Sequence, residues 1–166
     1  MGIISLLFST SGHPMSAAIR LGTWSDWSHV AIIDGDEVIE ATAPAGVRRF
    51  PVVQAINHAK RGAIVELPCR DPQAVIAAAV SQIGKPYDYT AILGLGLRRD
   101  WQEEDAWFCS ELVAWAFQHA GEPLFRAECL RRVTPQHLWM LAPAPPPPDP
   151  ALLAPIEGRL VRPSSF

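Results

Sequence analysis

Apolar and polar positions alternate along this chain in blocks that switch period. Residues 3–8, "IISLLF", form an apolar run that predicts a buried strand. "STSGHPMSAAIRLG" reads as a turn and a short helix, with Pro14 near its start and Gly22 near its end. In "SHVAIIDGDEVIEATA" two apolar runs flank Asp-Gly, the favoured type I′ hairpin signal, so 28–34 and 37–42 are predicted antiparallel neighbours. "GVRRFPV" predicts a third strand of this group and "AIVELP" (63–68) a fourth. Residues 71–83 predict a helix with Asp71 as cap, Pro72 in its first turn and Gly84 after its end. Part of 85–97, "KPYDYTAILGLGL", reads as helical. Residues 108–120 carry the strongest helical period: Leu112, Val113, Ala116, Phe117 and Ala120 share one face, and Gly121 ends it. Thr134 caps a short helix over 134–142. "PAPPPPDP" (143–150) is low-complexity and predicts polyproline II, with the last residues trailing free or returning to a sheet edge. The pattern predicts one α+β domain over 1–142, an antiparallel sheet packed against helices, and a Pro-rich extension over 143–166.

Composition narrows the function classes. At 166 residues, 49% hydrophobic and 19% charged, the chain can bury one stable core. A net charge of −3 argues against general nucleic-acid binding. Three cysteines (Cys69, Cys109, Cys129) cannot all pair in one chain, and their spacing matches no zinc pattern. A reducing, cytoplasmic setting is the expectation. The N-terminus lacks a basic region and reads as a first strand, not a signal peptide. No run approaches the roughly 20 apolar residues of a membrane span. Gly2 lacks the Ser or Thr at position six that myristoylation prefers.

Cys109 stands at the start of the 108–120 helix, outside the stripe that begins at Leu112. Helix N-termini present unsatisfied N–H groups and a positive dipole end, which favour thiolate. That suits a nucleophile, although an ordinary buried cysteine remains an open reading. His29 opens the strand "HVAII", where its ring can leave the sheet while Val30 and Ile32 pack on the other face. Glu40 lies in "VIEA", on the returning strand. A two-residue turn at Gly35 and Asp36 sets 31 against 40 and 29 against 42, which makes 29 and 40 diagonal neighbours within reach of long side chains. A carboxylate there would orient the ring and stabilise its charged form. A solvent-facing Glu40 is the competing reading.

These motifs resemble a known family. "QIGKPYDY" followed by "WFCSELV" is similar to the nucleophile segment of the NlpC/p60 superfamily of cell-wall hydrolases, and "SHVAIIDGDEVIEATAPAGV" to their histidine strand and hairpin. Here the histidine block precedes the cysteine block. That order resembles the circularly permuted branch, the YaeF/YiiX-type papain-like amidases, related to the lecithin–retinol acyltransferases. The resemblance covers roughly residues 3–120. It implies a papain-like fold in permuted order, Cys109 as nucleophile, His29 as base and then acid, and Glu40 as the group orienting His29. Tyr87 in "KPY" matches a tyrosine that lines the family's cleft. Phe108 and Glu111 depart from the "DCSG" form of the unpermuted enzymes.

The implied chemistry is an acyl-enzyme on Cys109, with the Cys109 amide among the oxyanion donors and no metal or organic cofactor required. Candidate substrates are a peptide or a peptidoglycan fragment. Two alternatives remain: a lipid-ester or thioester acyl hydrolase or acyltransferase on the same triad, and a non-catalytic domain that docks partners through its Pro-rich tail. An apolar groove built from tryptophans and "AILGLGL" would favour lipid. Tyr87, Ser28 and Trp107 are the candidate substrate contacts, with local capping (Ser28) and plain core (Trp24, Trp27, Trp101, Trp107) as the competing readings. His13, His58, His119 and His137 read as surface or satisfied core, Cys69 and Cys129 as inert thiols, and 98–105 as a solvated loop or lid.

Overall fold

A computed structural model of the protein describes residues 1–88 and 106–143. Its frame is a five-stranded antiparallel sheet: β1 (Gly2–Thr10), β2 (His29–Asp34), β3 (Glu37–Thr42), β4 (Gly46–Pro51) and β5 (Arg61–Cys69), in the spatial order β4-β3-β2-β1-β5. The described helices are α1 (Pro14–Thr23), α2 (Val52–His58), α3 (Pro72–Val80), α4 (Cys109–His119) and α5 (Pro135–Leu141), with a 3₁₀ turn at Ala127–Arg132 before α5.

The period of two divides the sheet's side chains between two faces. Ile4, Leu6, Phe8, Val30, Ile32, Ile39, Ala41 and Leu67 form one core with buried residues of α3 and α4. Leu7, Ala31 and Val38 face the other way, where Phe50, Val52 and Ala55 cover them. That second face is only partly roofed by α2, and the uncovered part becomes the cavity described below.

The hairpin register is the expected one. Ile32 pairs with Ile39 and Asp34 with Glu37 across Gly35 and Asp36. Only Gly35 of the two turn residues has positive φ (63°), which is the pattern of a type II′ turn and not the type I′ turn expected.

Other boundaries moved for identifiable reasons. The third strand stops at Pro51, and Val52 starts α2 instead of extending the strand. The β-branched pair Val52–Val53 hides this helix from a pattern reading. α1 runs past Gly22 and is closed by Trp24 in the left-handed region (φ 52°). α3 ends at Val80, followed by a turn to Gly84. Lys85–Asp88 are not helical. Tyr87 makes a parallel bridge to Trp107, which brings the two ends of the intervening segment together. The rest of the 85–97 prediction, the 98–105 loop and residues beyond Pro143 lie outside the described residues.

Gly46 is required where it stands. Its φ is 73°, and a Cβ there would collide with the Lys85 carbonyl oxygen. The close approach lets Val47 N–H donate to that carbonyl at 2.9 Å, and Gly84 N–H donate to the Val47 carbonyl at 2.9 Å. These bonds dock the 84–87 segment on β4 and carry Tyr87 to the sheet's open face.

Candidate active site

The first turn of α4 holds Cys109. Phe108, its N-cap, has extended backbone (φ −87°, ψ 149°) and no side-chain acceptor. Glu111 supplies half a capping box: its carboxylate accepts from the Phe108 N–H at 3.3 Å. The Ser110 hydroxyl donates to the Val133 carbonyl at 2.6 Å and ties the turn to the segment leading into α5. The first backbone bond of the helix runs from Leu112 N–H to Phe108 C=O, so earlier first-turn amides have no intrahelical acceptor.

Cys109 is more deeply placed than its position at the helix start implied. It is 1% exposed and belongs to the main core. Helical spacing explains this: residue 109 lies three and four positions before Leu112 and Val113, so it continues their buried stripe.

His29 ends up beside it. The ring Nε2 bonds Glu40 Oε2 at 2.8 Å, and the Cys109 side chain lies close enough to the ring to raise its pKa. With Nε2 engaged by the carboxylate, Nδ1 is the nitrogen left for sulfur. The imidazole therefore lies between thiol and carboxylate at the mouth of β2. Its side chain is 23% exposed and that of Glu40 only 8%.

Glu40 has a second partner that the sequence reading missed. Arg48 faces it directly across β3 and β4, and donates to Oε1 from Nε at 3.0 Å and from Nη2 at 2.8 Å. Both carboxylate oxygens are thus occupied, one by each cation. A charged residue at matched register in each of two half-apolar strands was the available signal.

The electrostatics follow from these bonds. Burial disfavours the charged His29 ring, but hydrogen bonds and charge interactions with Cys109 and Glu40 outweigh it, and its pKa is pushed up to about 10. Burial likewise opposes ionisation of Glu40, yet the bonds from His29 and Arg48 hold its carboxyl below the usual range. The ring is therefore protonated and its carboxylate ionised at neutral pH.

A cavity of about 490 Å³ opens over the second face of the sheet, walled by His29, Glu40, Arg48, Ser28 and Tyr87, with residues of α1 and α2 on its flanks. Cys109 is not among the described wall residues. Ser28 is also committed locally, accepting from the Ser16 hydroxyl at 2.7 Å and donating to the Ser9 carbonyl at 3.2 Å. Trp107 packs against Trp115 (centroids 5.2 Å apart) and lies outside the cavity wall. Trp27 is core and Trp24 is 92% exposed, so none of these three forms a tryptophan groove.

His13 and His58, read from sequence as surface or satisfied core, both line the cavity. His119 stacks on Trp115 and His137 bonds Thr134. Cys69 is buried, and that burial, with Glu122 and Asp71 nearby, pushes its thiol pKa up, while Cys129 is exposed.

An antiparallel sheet, a cysteine on the first turn of a packed helix, and a histidine–carboxylate pair on adjacent strands make a papain-like arrangement, here with the histidine strand ahead of the cysteine helix. Comparison with known proteins agrees. Residues 5–143 match the model of the permuted papain-like amidase enzymes of the YaeF/YiiX type, the C92 family. The chain belongs to that family of cysteine amidases.

Among its relatives is the "Probable lipoprotein peptidase YaeF" of Escherichia coli strain K12, 28% identical over 157 residues, covering 74% of this chain and 57% of that protein. The uncharacterized protein YiiX of the same strain is 30% identical over 125 residues, covering 69% of this chain and 56% of that protein. The chain thus spans little more than half the length of these two curated relatives. A crystal structure of YiiX from Escherichia coli O157:H7, described as a metalloprotein, superposes with a TM-score of 0.56 at 29% identity, covering 70% of this chain and 64% of that one. Among the described residues here, no group of three His, Cys, Asp or Glu side chains could hold a metal ion. No described helix is long and apolar enough to cross a membrane.

Proposed function

We propose that this chain is a cysteine hydrolase that cleaves an amide bond in a peptide or peptidoglycan fragment through an acyl-enzyme on Cys109. The observation that carries the reading is the bonded chain His29–Glu40–Arg48 with the Cys109 side chain interacting with the His29 ring. A protonated imidazole beside sulfur favours the thiolate, the form that attacks a carbonyl. Sulfur adds to the carbonyl carbon, and the oxyanion is met by first-turn amides of α4, the Cys109 N–H among them. His29 gives its proton to the leaving amine as the C–N bond breaks. It then takes a proton from water, whose oxygen attacks the thioester and returns the sulfur.

Glu40 holds Nε2 throughout, so the ring presents Nδ1 to the reaction, and Arg48 keeps Glu40 in place. Tyr87 and Ser28, as cavity-wall residues, are the proposed substrate contacts on this side. Trp107 would act only through the segment it anchors. Because Cys109 is buried and not among the cavity's wall residues, side chains over the sulfur must shift for the substrate carbonyl to reach it. The test is hydrolysis of peptide, peptidoglycan and acyl-ester probes by the parent and Cys109→Ala. The reading expects amide cleavage that disappears in the variant; cleavage that survives, or turnover of esters alone, contradicts it.

A further inference from the structure

A second cavity, about 330 Å³, adjoins the first and shares Thr10, Ser11 and His13 with it. Its other walls include Arg20, Lys60 and Arg61 and, among the described residues, no aspartate or glutamate. Three cations around one hollow run against the −3 balance of the whole chain.

The fold sets them there. His13, Ala17 and Arg20 fall at i, i+4 and i+7, one stripe of α1. Opposite stands the start of β5: Lys60 N–H donates to the Thr10 carbonyl at 2.8 Å, and Arg61 pairs with Thr10 in the sheet. Arg61 lies over the Trp27 ring, 4.5 Å from its centre, which limits its freedom. The His13 Nδ1 accepts from Met15 N–H at 3.2 Å, which leaves Nε2 as the ring's donor.

Elsewhere in the described residues several arginines are matched. Arg48, Arg49, Arg70 and Arg126 each meet a carboxylate. Among the described residues Arg20, Lys60 and Arg61 meet none. Clustered cations without counter-charges repel one another, and that cost is relieved when an anion enters.

We propose that this basic chamber is an anion subsite, which takes a carboxylate or phosphate group carried by the substrate whose carbonyl is presented to His29. The link to the substrate rests on the hydrolase reading; anion binding itself does not. The chamber would select acidic or phosphorylated substrates over neutral ones, through two arginines suited to forked contacts and a lysine as a point charge.

The experiment is calorimetric titration of the full chain at low ionic strength with inorganic phosphate and, separately, with succinate. It uses the parent, Cys109→Ala and the double variant Arg20→Gln/Lys60→Gln. Saturable binding is expected for at least one anion, equal in the parent and Cys109→Ala, and weaker by about tenfold or more in the double variant. Binding of phosphate alone assigns a phosphoryl-bearing substrate, and binding of succinate alone an acidic one. No saturable binding of either anion, or an affinity unchanged in the double variant, overturns the proposal. Should the double variant fail to melt cooperatively, the exposed single change Lys60→Gln decides, with reduced affinity expected and unchanged affinity contradicting. Since Cys109→Ala is read by binding alone, failure of the hydrolase reading would show separately.

Discussion

Glu40→Gln removes one charge and almost no volume from the centre of the site. The carboxylate accepts from His29 on one oxygen and from Arg48 on the other, and the side chain is 8% exposed. An amide can accept on only one side. If its NH₂ faced His29, the ring would have to lose its Nε2 proton. If it faced Arg48, two donors would oppose each other. Arg48 has the more exposed side chain, at 38%, so it can swing into water. The variant should therefore keep the Nε2–H···O bond and lose the ion pair.

Two unit charges about 4 Å apart interact by about 4 kcal/mol at an effective dielectric of 20, an upper figure for a site open to water on one side. A loss of about 2–4 kcal/mol corresponds to a fall in kcat/KM of roughly 30- to 1,000-fold. Steady-state hydrolysis measures it, together with Arg48→Met alone and in combination. Arg48 acts on His29 through Glu40, so the double variant should be no slower than Glu40→Gln on a substrate too small to reach Arg48 at the cavity wall. Full activity in Glu40→Gln, or additive losses in the double variant, would refute the reasoning.

Three further outcomes follow from the same geometry. The His29 ring, followed by NMR, should titrate near pH 10 in the parent and lower in Cys109→Ala, where the raising interaction with sulfur is gone; an unshifted ring would show that sulfur and imidazole do not interact. Stability measured by urea unfolding should fall as pH rises from the ring's unfolded value of 6.5 through about 10, because the folded state keeps that proton longer; it should also fall below the ordinary carboxylate value of 4.5 as Glu40 takes up a proton in the folded state. A flat profile across both windows would contradict the ion pair. Gly46→Ala should cost about 2 kcal/mol or more, since positive φ and a clash with the Lys85 carbonyl act together, and a thermal melt unchanged by the substitution would refute the close approach.

Much of this arrangement was legible in local sequence. The Asp-Gly turn fixed which residues oppose which, and the register places His29 and Glu40 diagonally as the pairing rule requires. Cap and breaker chemistry located α3 and α5, because Asp71, Pro72, Thr134 and Pro135 act within a few residues of where they stand, and the apolar stripe located α4. Long-range features were hidden. Arg48 becomes Glu40's partner only once β4 pairs with β3, and Gly46 is constrained by Lys85, which is remote in sequence. The depth of Cys109 could have been read, since it continues the stripe of Leu112 and Val113, but its helix-start position drew attention to the dipole instead. The cavity's histidines, His13 and His58, had no local mark because their setting is made by α1 and α2 flanking one cavity.

The most direct measurement is the mass of the chain caught during turnover. A cleaved amide substrate is mixed with excess enzyme, quenched in acid within a fraction of a turnover, and the digest is read by mass spectrometry. The account predicts the substrate's acyl group on the peptide that contains Cys109, and its absence when Cys109 is replaced by alanine. Release of product with no adduct on that sulfur, or an adduct on Cys69 or Cys129 instead, would contradict it.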